Sequence, residues 1–241
     1  MKGECPHRQG SFAGFKTPGI DIDCVRMARV VGVDEAGRGC AIGPLVVAGV
    51  LFDENRIPDL CSLGVRDSKL LSSKRREALD MKIKNLAEGW SYFDLQPKAI
   101  DHAVSQSPKL RKLNYLEAMA MARVIRDLGP DKAYVDPADV VIERFVGQIR
   151  RVLPLKPEVF SEVNADVNIP VVSAASILAK VRRDRLVAGL RKEYGDFGSG
   201  YCSDRKTVAF LESWFRARDT CPPFIRGSWS TVKRIREIDQ A

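Results

Sequence analysis

Histidine is nearly absent from this chain, which has only His7 and His102 among its 241 residues. The cysteines, Cys5, Cys24, Cys40, Cys61, Cys202 and Cys221, include no Cys-x-x-Cys pair. A zinc site is therefore not expected, and reduced thiols are. No apolar run approaches the roughly 18 residues needed to span a bilayer. The opening Met1-Lys2-Gly3-Glu4-Cys5-Pro6-His7 has no apolar segment of the kind that a signal peptide carries. A cytoplasmic protein is expected, or a nuclear one from a eukaryotic source. No internal repeat or low-complexity tract appears. Acidic residues are outnumbered, 31 against 39 lysines and arginines, for a net charge of +8. That balance suits a polyanionic partner without demanding one. The hydrophobic share of 45% is ordinary, and the length fits one domain with at most a small appendage.

The chain is organised around Val30-Val31-Gly32-Val33-Asp34-Glu35-Ala36-Gly37-Arg38-Gly39. Its valines read as a buried strand ending on two carboxylates. Successive strand side chains point to opposite faces. Asp34 and Glu35 are therefore expected to share one site only if the strand breaks at Ala36-Gly37. Taken alone, an Asp-Glu pair is more often a solvated turn. Glycine admits positive φ and close ligand approach. Arg38 between two glycines offers a forked donor suited to phosphate or ribose oxygens.

Residues 1–28 show no period and read as a poorly ordered extension, with Met27 an alternative start. Strands are expected at about 29–35, 44–53, 90–95, 132–136 and 158–161. Helices are expected at about 73–88, 97–104, 110–128, 139–152, 171–193, 206–215 and 230–238. Ser72 or Ser73 is the expected N-cap of the first and Gly89 its stop. Asp139 is the expected N-cap of the fourth. This order suggests a mixed sheet covered by helices. The expected division is 1–28 as extension, 29–193 as the main α/β domain and 194–241 as a C-terminal helical part.

Further blocks recur along the chain: Asp67-Ser68-Lys69 with Leu71-Ser72, Tyr134-Val135-Asp136, Ala165-Asp166, and Pro170 through Arg185. Gly198-Ser199-Gly200-Tyr201 and Ser228-Trp229 follow. Together with the first stretch they closely resemble the type 2 ribonucleases H, and more nearly the archaeal and eukaryotic branch, over about residues 29–235. The resemblance implies a ribonuclease H-like α/β fold with a five-stranded mixed sheet. It implies an endonuclease that cuts the RNA strand of RNA–DNA hybrids. Single ribonucleotides embedded in duplex DNA are included, cut on their 5′ side to leave a 3′-hydroxyl. It further implies that Asp34, Glu35, Asp136 and Asp166 are the catalytic, metal-binding set for two Mg2+ or Mn2+ ions. Such ions activate a water and neutralise phosphate charge, and take oxygen ligands. Substrate contacts are carried over to Gly37, Arg38 and Gly39, which read the ribose 2′-hydroxyl, to Tyr201 beside the sugar, and to Ser68 and Lys69 at phosphate. The 2′-hydroxyl is what distinguishes RNA from DNA.

Asp136 is preferred over Asp139 because it ends a strand. Lys180, Arg182 and Arg183 read equally as duplex contacts or as a solvated helix face. Lys69 reads equally as a solvated loop charge, Asp184 as an ion-pair partner and Trp229 as a core anchor. Two departures from the family pattern stand out. Asn164 replaces a common lysine two positions before the fourth acid. Cys40 and Cys202 replace common prolines, so a redox-sensitive link between them is a low-ranking expectation. A monomer is expected. The alternatives are a non-catalytic hybrid-binding protein and the sister type 3 enzyme, which prefers longer RNA stretches. Twenty-eight leading residues are too few for the N-terminal domain usual in that sister branch.

Overall fold

The computed structural model describes residues 27–65, 71–105 and 109–238. Residues 1–26 of the extension expected at 1–28 and the Asp67-Ser68-Lys69 block, with its two candidate contacts Ser68 and Lys69, lie outside those residues. The strands are β1 (Arg29–Ala36), β2 (Leu45–Asp53), β3 (Gly89–Leu95), β4 (Lys132–Val135) and β5 (Glu158–Ser161). The helices are α1 (Ile57–Ser62), α2 (Ser73–Leu86), α3 (Pro97–Ser105), α4 (Lys109–Leu128) and α5 (Ile142–Val152). They continue as α6 (Ala165–Asn168), α7 (Pro170–Tyr194), α8 (Arg205–Ala217) and α9 (Ser230–Ile238). One mixed sheet has the order β3-β2-β1-β4-β5, antiparallel for β3, β2 and β1 and parallel from β1 through β5.

Alternation along β1 separates two cores. Val31 and Val33 face Met121, Val124 and Phe145 on the side of α4 and α5. Val30 lies in the opposite core with Val172, Ala175 and Ile177 of α7 and Leu79 of α2. The small residues that open α7 have a steric purpose. A Cβ on Gly32 would sit 2.0 Å from the carbonyl oxygen of Val171. Helix and strand backbones are in contact there, and only glycine permits it. A third core, with Ile42, Val187, Phe197, Leu211 and Ile225, joins α8 and α9 to the turn after β1 and to the end of α7.

Several boundaries differ from expectation. Ser72 caps α2 by accepting from the Arg75 amide, but the helix stops at Leu86, and Gly89 opens β3 instead of ending α2. Trp90 to Leu95 favour the strand, which claims the glycine as its first paired residue opposite Leu51. Asp139 is not the N-cap of α5, which begins at Ile142 behind Val141. Its carboxylate instead accepts from the Val141 amide at 3.0 Å and from Arg144 at 2.6 and 3.0 Å. The helices α1 and α6 were not legible as periodic stretches, being six and four residues long. Among the described residues no helix is long and apolar enough to cross a membrane.

Candidate active site

The parallel neighbours β1 and β4 end side by side, with the Asp136 amide donating to the Val33 carbonyl at 3.1 Å. Asp34 and Asp136 therefore meet at the carboxyl ends of adjacent strands, where open α/β sheets place ligands. Pairing with β2 keeps both acids inside the strand and ends at Ala36, so the break falls at Ala36-Gly37 as expected. The two acids accordingly stay on opposite faces, as strand geometry requires. Asp34 interacts with Ser176, Lys180 and Asp136, and Glu35 with Glu117 and Arg38. Both nonetheless line one cleft, because the sheet ends there and the chain turns sharply at Gly37, whose φ is +88°.

The cleft, of about 830 Å³, is lined by all four predicted acids, by Gly37, Arg38 and Gly39, and by Tyr201. Asp166 comes from α6, whose entry residue Asn164 adopts φ 59°, ψ 34°. Asparagine tolerates this left-handed conformation better than most residues. The departure at position 164 thus has a backbone rationale as well as a charge consequence. The Ser173 hydroxyl, donating to the Asp166 carbonyl at 2.7 Å, ties α6 to α7.

Electrostatics mark Asp34 and Glu35 as a strained pair. Burial pushes the Asp34 carboxyl up to about 6; Asp136 adds to this, while Ser176 and Lys180 oppose it. Glu35 is raised well above the ordinary glutamate value by burial, then by Asp34 and Glu117, against the pull of Arg38. Its Oε2 is buried and has no hydrogen-bond partner among the described residues. Oxygen-only donors, repelling one another and incompletely satisfied, fit a hard divalent cation. Among the described residues no three acidic, cysteine or histidine side chains are grouped closely enough to hold an ion between them unaided. Such a fit therefore relies on water or substrate oxygens for part of the coordination, as Mg2+ commonly does.

The basic run of α7 divides by helical period. Lys180, Arg183, Val187 and Arg191 line the cleft. Arg182 turns away to Asp94, at 2.7 and 2.8 Å, and Arg185 to Asp80. Arg183 is buried, lies 4.5 Å from the centre of the Tyr201 ring, and pairs with Asp184, which also pairs with Arg76. Tyr201 sits against Gly39, and Cys40 bridges to Tyr201 in antiparallel fashion. Cys40 and Cys202 are both free thiols, so the suggested link is not formed. Trp229 packs between the first and third cores, as an anchor does.

Three contributors escaped the sequence reading. Glu117, fully buried on α4, pairs with the Arg38 guanidinium, which also donates to Asn114 Oδ1 at 2.7 Å. Burial lifts the Glu117 carboxyl to about 7 in spite of that arginine. Arg226, in the loop before α9, is also fully buried and reaches the same turn. A polar residue on the apolar face of α4 was the available signal for Glu117. Nothing local marks Arg226, since its partners lie 183 to 189 residues away.

The family model described as Ribonuclease HII matches residues 31–232. The chain belongs to the ribonuclease HII family. Within that family, the Ribonuclease HII of Methanococcoides burtonii is 44% identical over 214 residues, 86% of this chain and 99% of the relative. The crystal structure of ribonuclease H2 from Pyrococcus horikoshii is 40% identical, with a TM-score of 0.81, over 88% of this chain and 99% of that one. A Bst ribonuclease HIII in complex with Mn2+ is 18% identical, with a TM-score of 0.75 over 96% of this chain and 77% of that one, and shares the fold alone. Membership of the ribonuclease HII family makes the chain a ribonuclease H, a hydrolase of RNA in RNA–DNA hybrids.

Proposed function

We propose that this ribonuclease H cuts at single ribonucleotides embedded in duplex DNA as well as in longer hybrids, on the 5′ side, leaving a 3′-hydroxyl. The supporting observation is the single cleft that gathers Asp34, Glu35, Asp136 and Asp166 beside the Gly37-Arg38-Gly39 turn and Tyr201. The four carboxylates would hold two divalent cations, Mg2+ or Mn2+, with water or substrate oxygens completing the coordination. Bound there, the cations would supply an activated water and neutralise charge on the phosphate. The turn contacts the ribose 2′-hydroxyl through its backbone, and Tyr201 packs on the sugar beside Gly39. Arg191 and Arg76, on the cleft wall, face the phosphates of the duplex. Residues 194–241 act as the substrate-binding part, since Gly198, Ser199 and Tyr201 close the cleft on that side. The enzyme acts as a monomer.

The decisive assay uses a duplex carrying one ribonucleotide, with Mg2+, with Mn2+ and with EDTA. Cleavage 5′ to the ribonucleotide in the presence of metal alone is expected. Loss of an outer-shell partner of a metal site typically costs about 10–100-fold, so Asp34→Asn and Asp136→Asn should each cost more than ~100-fold. Metal-independent cleavage, or activity retained in both variants, would refute the assignment.

A further inference from the structure

Arg226 is the largest fully buried side chain among the described residues, yet no carboxylate pairs with it there. Its guanidinium is spent on main-chain oxygens. Nη2 donates to Gly37 at 2.7 Å, Nη1 to Arg38 at 2.8 Å and Nε to Gly43 at 3.1 Å. The first two carbonyls belong to the turn that the proposed function assigns to the ribose 2′-hydroxyl. In a trans peptide the C=O and the following N–H point in opposite directions. Drawing the Gly37 and Arg38 carbonyls inward therefore turns the amides of Arg38 and Gly39 outward, on the side of the turn away from Arg226. Neither amide donates to another described residue. They are donors held ready for an oxygen in the cleft.

Arg226 is itself held from several directions. Its amide donates to the Ala41 carbonyl at 2.8 Å, and Ile225 bridges to Ile42. Its guanidinium lies 5.1 Å from the centre of the Trp229 ring. Asp101 of α3 accepts from the Gly227 amide at 2.9 Å, the Ser228 amide at 3.0 Å and the Ser228 hydroxyl at 2.5 Å. Charge-assisted hydrogen bonds in a water-free setting are the strong ones. Glutamine, lacking the fork, cannot reproduce three of them at once, and lysine carries the charge without the planar geometry.

We infer that Arg226 is a positioning residue for sugar discrimination, fixing the peptide planes of the Gly37-Arg38-Gly39 turn so that its amides present to a 2′-hydroxyl. The inference rests on the proposed role of that turn. It is tested by binding without cleavage, in EDTA, of two labelled duplexes that differ in one embedded ribonucleotide. Wild type prefers the ribonucleotide duplex. Arg226→Gln loses that preference through weaker binding of the ribonucleotide duplex alone, by roughly tenfold for loss of about one strong hydrogen bond. Affinity for the all-DNA duplex stays at the wild-type level. Arg226→Lys falls between the two, as does Asp101→Asn, which leaves Arg226 in place but loosens the segment that carries it. Equal loss of affinity for both duplexes in Arg226→Gln overturns the inference, because a merely structural or charge effect would do that. If Arg226→Gln does not fold, the other two decide, and wild-type preference in both overturns it. A wild-type protein with no preference removes the role of the turn, and this inference with it. Preference kept in folded Arg226 variants removes the inference alone.

Discussion

Burial and Asp136 hold the Asp34 carboxyl near 6, against about 3.8 when unfolded. The folded state thus favours the protonated acid. Its contribution is a destabilisation that is absent below the unfolded value, sets in as pH rises, and is complete above about 6. In EDTA at pH 7.5, Asp34→Asn is expected to be more stable than wild type by about 1–3 kcal/mol, and no more stable near pH 3.5. Added Mg2+ should raise the wild-type Tm and not that of the variant. Thermal melts across pH, with and without metal, check each part. Asp139 behaves in the opposite sense. Burial alone would raise it, but Arg144, the Val141 amide and Asn114 bring it down to about 2. That stabilisation is fully present above 3.8 and disappears as pH falls through about 2. Asp139→Asn should cost up to about 2 kcal/mol at neutral pH and nothing at the acid extreme. Equal destabilisation at both pH values would contradict the pairing with Arg144.

Helix α7 is the element on which the site depends. Its small-residue end lies on the β1 backbone at Gly32, and its length carries Ser176, Lys180 and Arg183 to the end of the sheet. Gly32→Ala would force a Cβ against the Val171 carbonyl oxygen and should cost at least ~3 kcal/mol, at the upper end for overpacking. Gly189, exposed on the same helix, gives the contrast, since a Cβ there would meet nothing within 4 Å. Gly189→Ala should stabilise by about 0.5–1 kcal/mol with cleavage unchanged. Denaturant titration of the pair separates close packing from propensity. Long periodic elements such as α4 and α7 were legible in the sequence to within a residue or two. Strand alternation also placed Asp34 and Glu35 on opposite faces. The break expected at Ala36-Gly37 also followed, since the ladder with β2 ends at Ala36 and Gly37 takes a φ of +88°. Asp166 was legible only by resemblance, for a four-residue helix has no period. The pairing of Arg38 with Glu117 and of Arg226 with the turn is tertiary, and no local pattern encodes it.

At the scale of the molecule, the chain carries a net charge of +8, and basic side chains line the cleft beside its acids. Binding to duplex should weaken with salt in proportion to the phosphates neutralised. Arg191→Ala, at the cleft wall, should lower the log–log salt slope by about 1 and weaken ribonucleotide-containing and plain duplexes alike. A slope identical to that of wild type would place Arg191 off the duplex path.

Because neighbouring carboxylates on β1 answer to different layers, a slip of that strand by one residue would exchange their surroundings. The acid now beside α7 would meet α4, and the acid now beside α4 would meet α7. Catalytic competence is therefore tied to the final alignment of the sheet, and a chain trapped one residue out of step would be an inert nuclease.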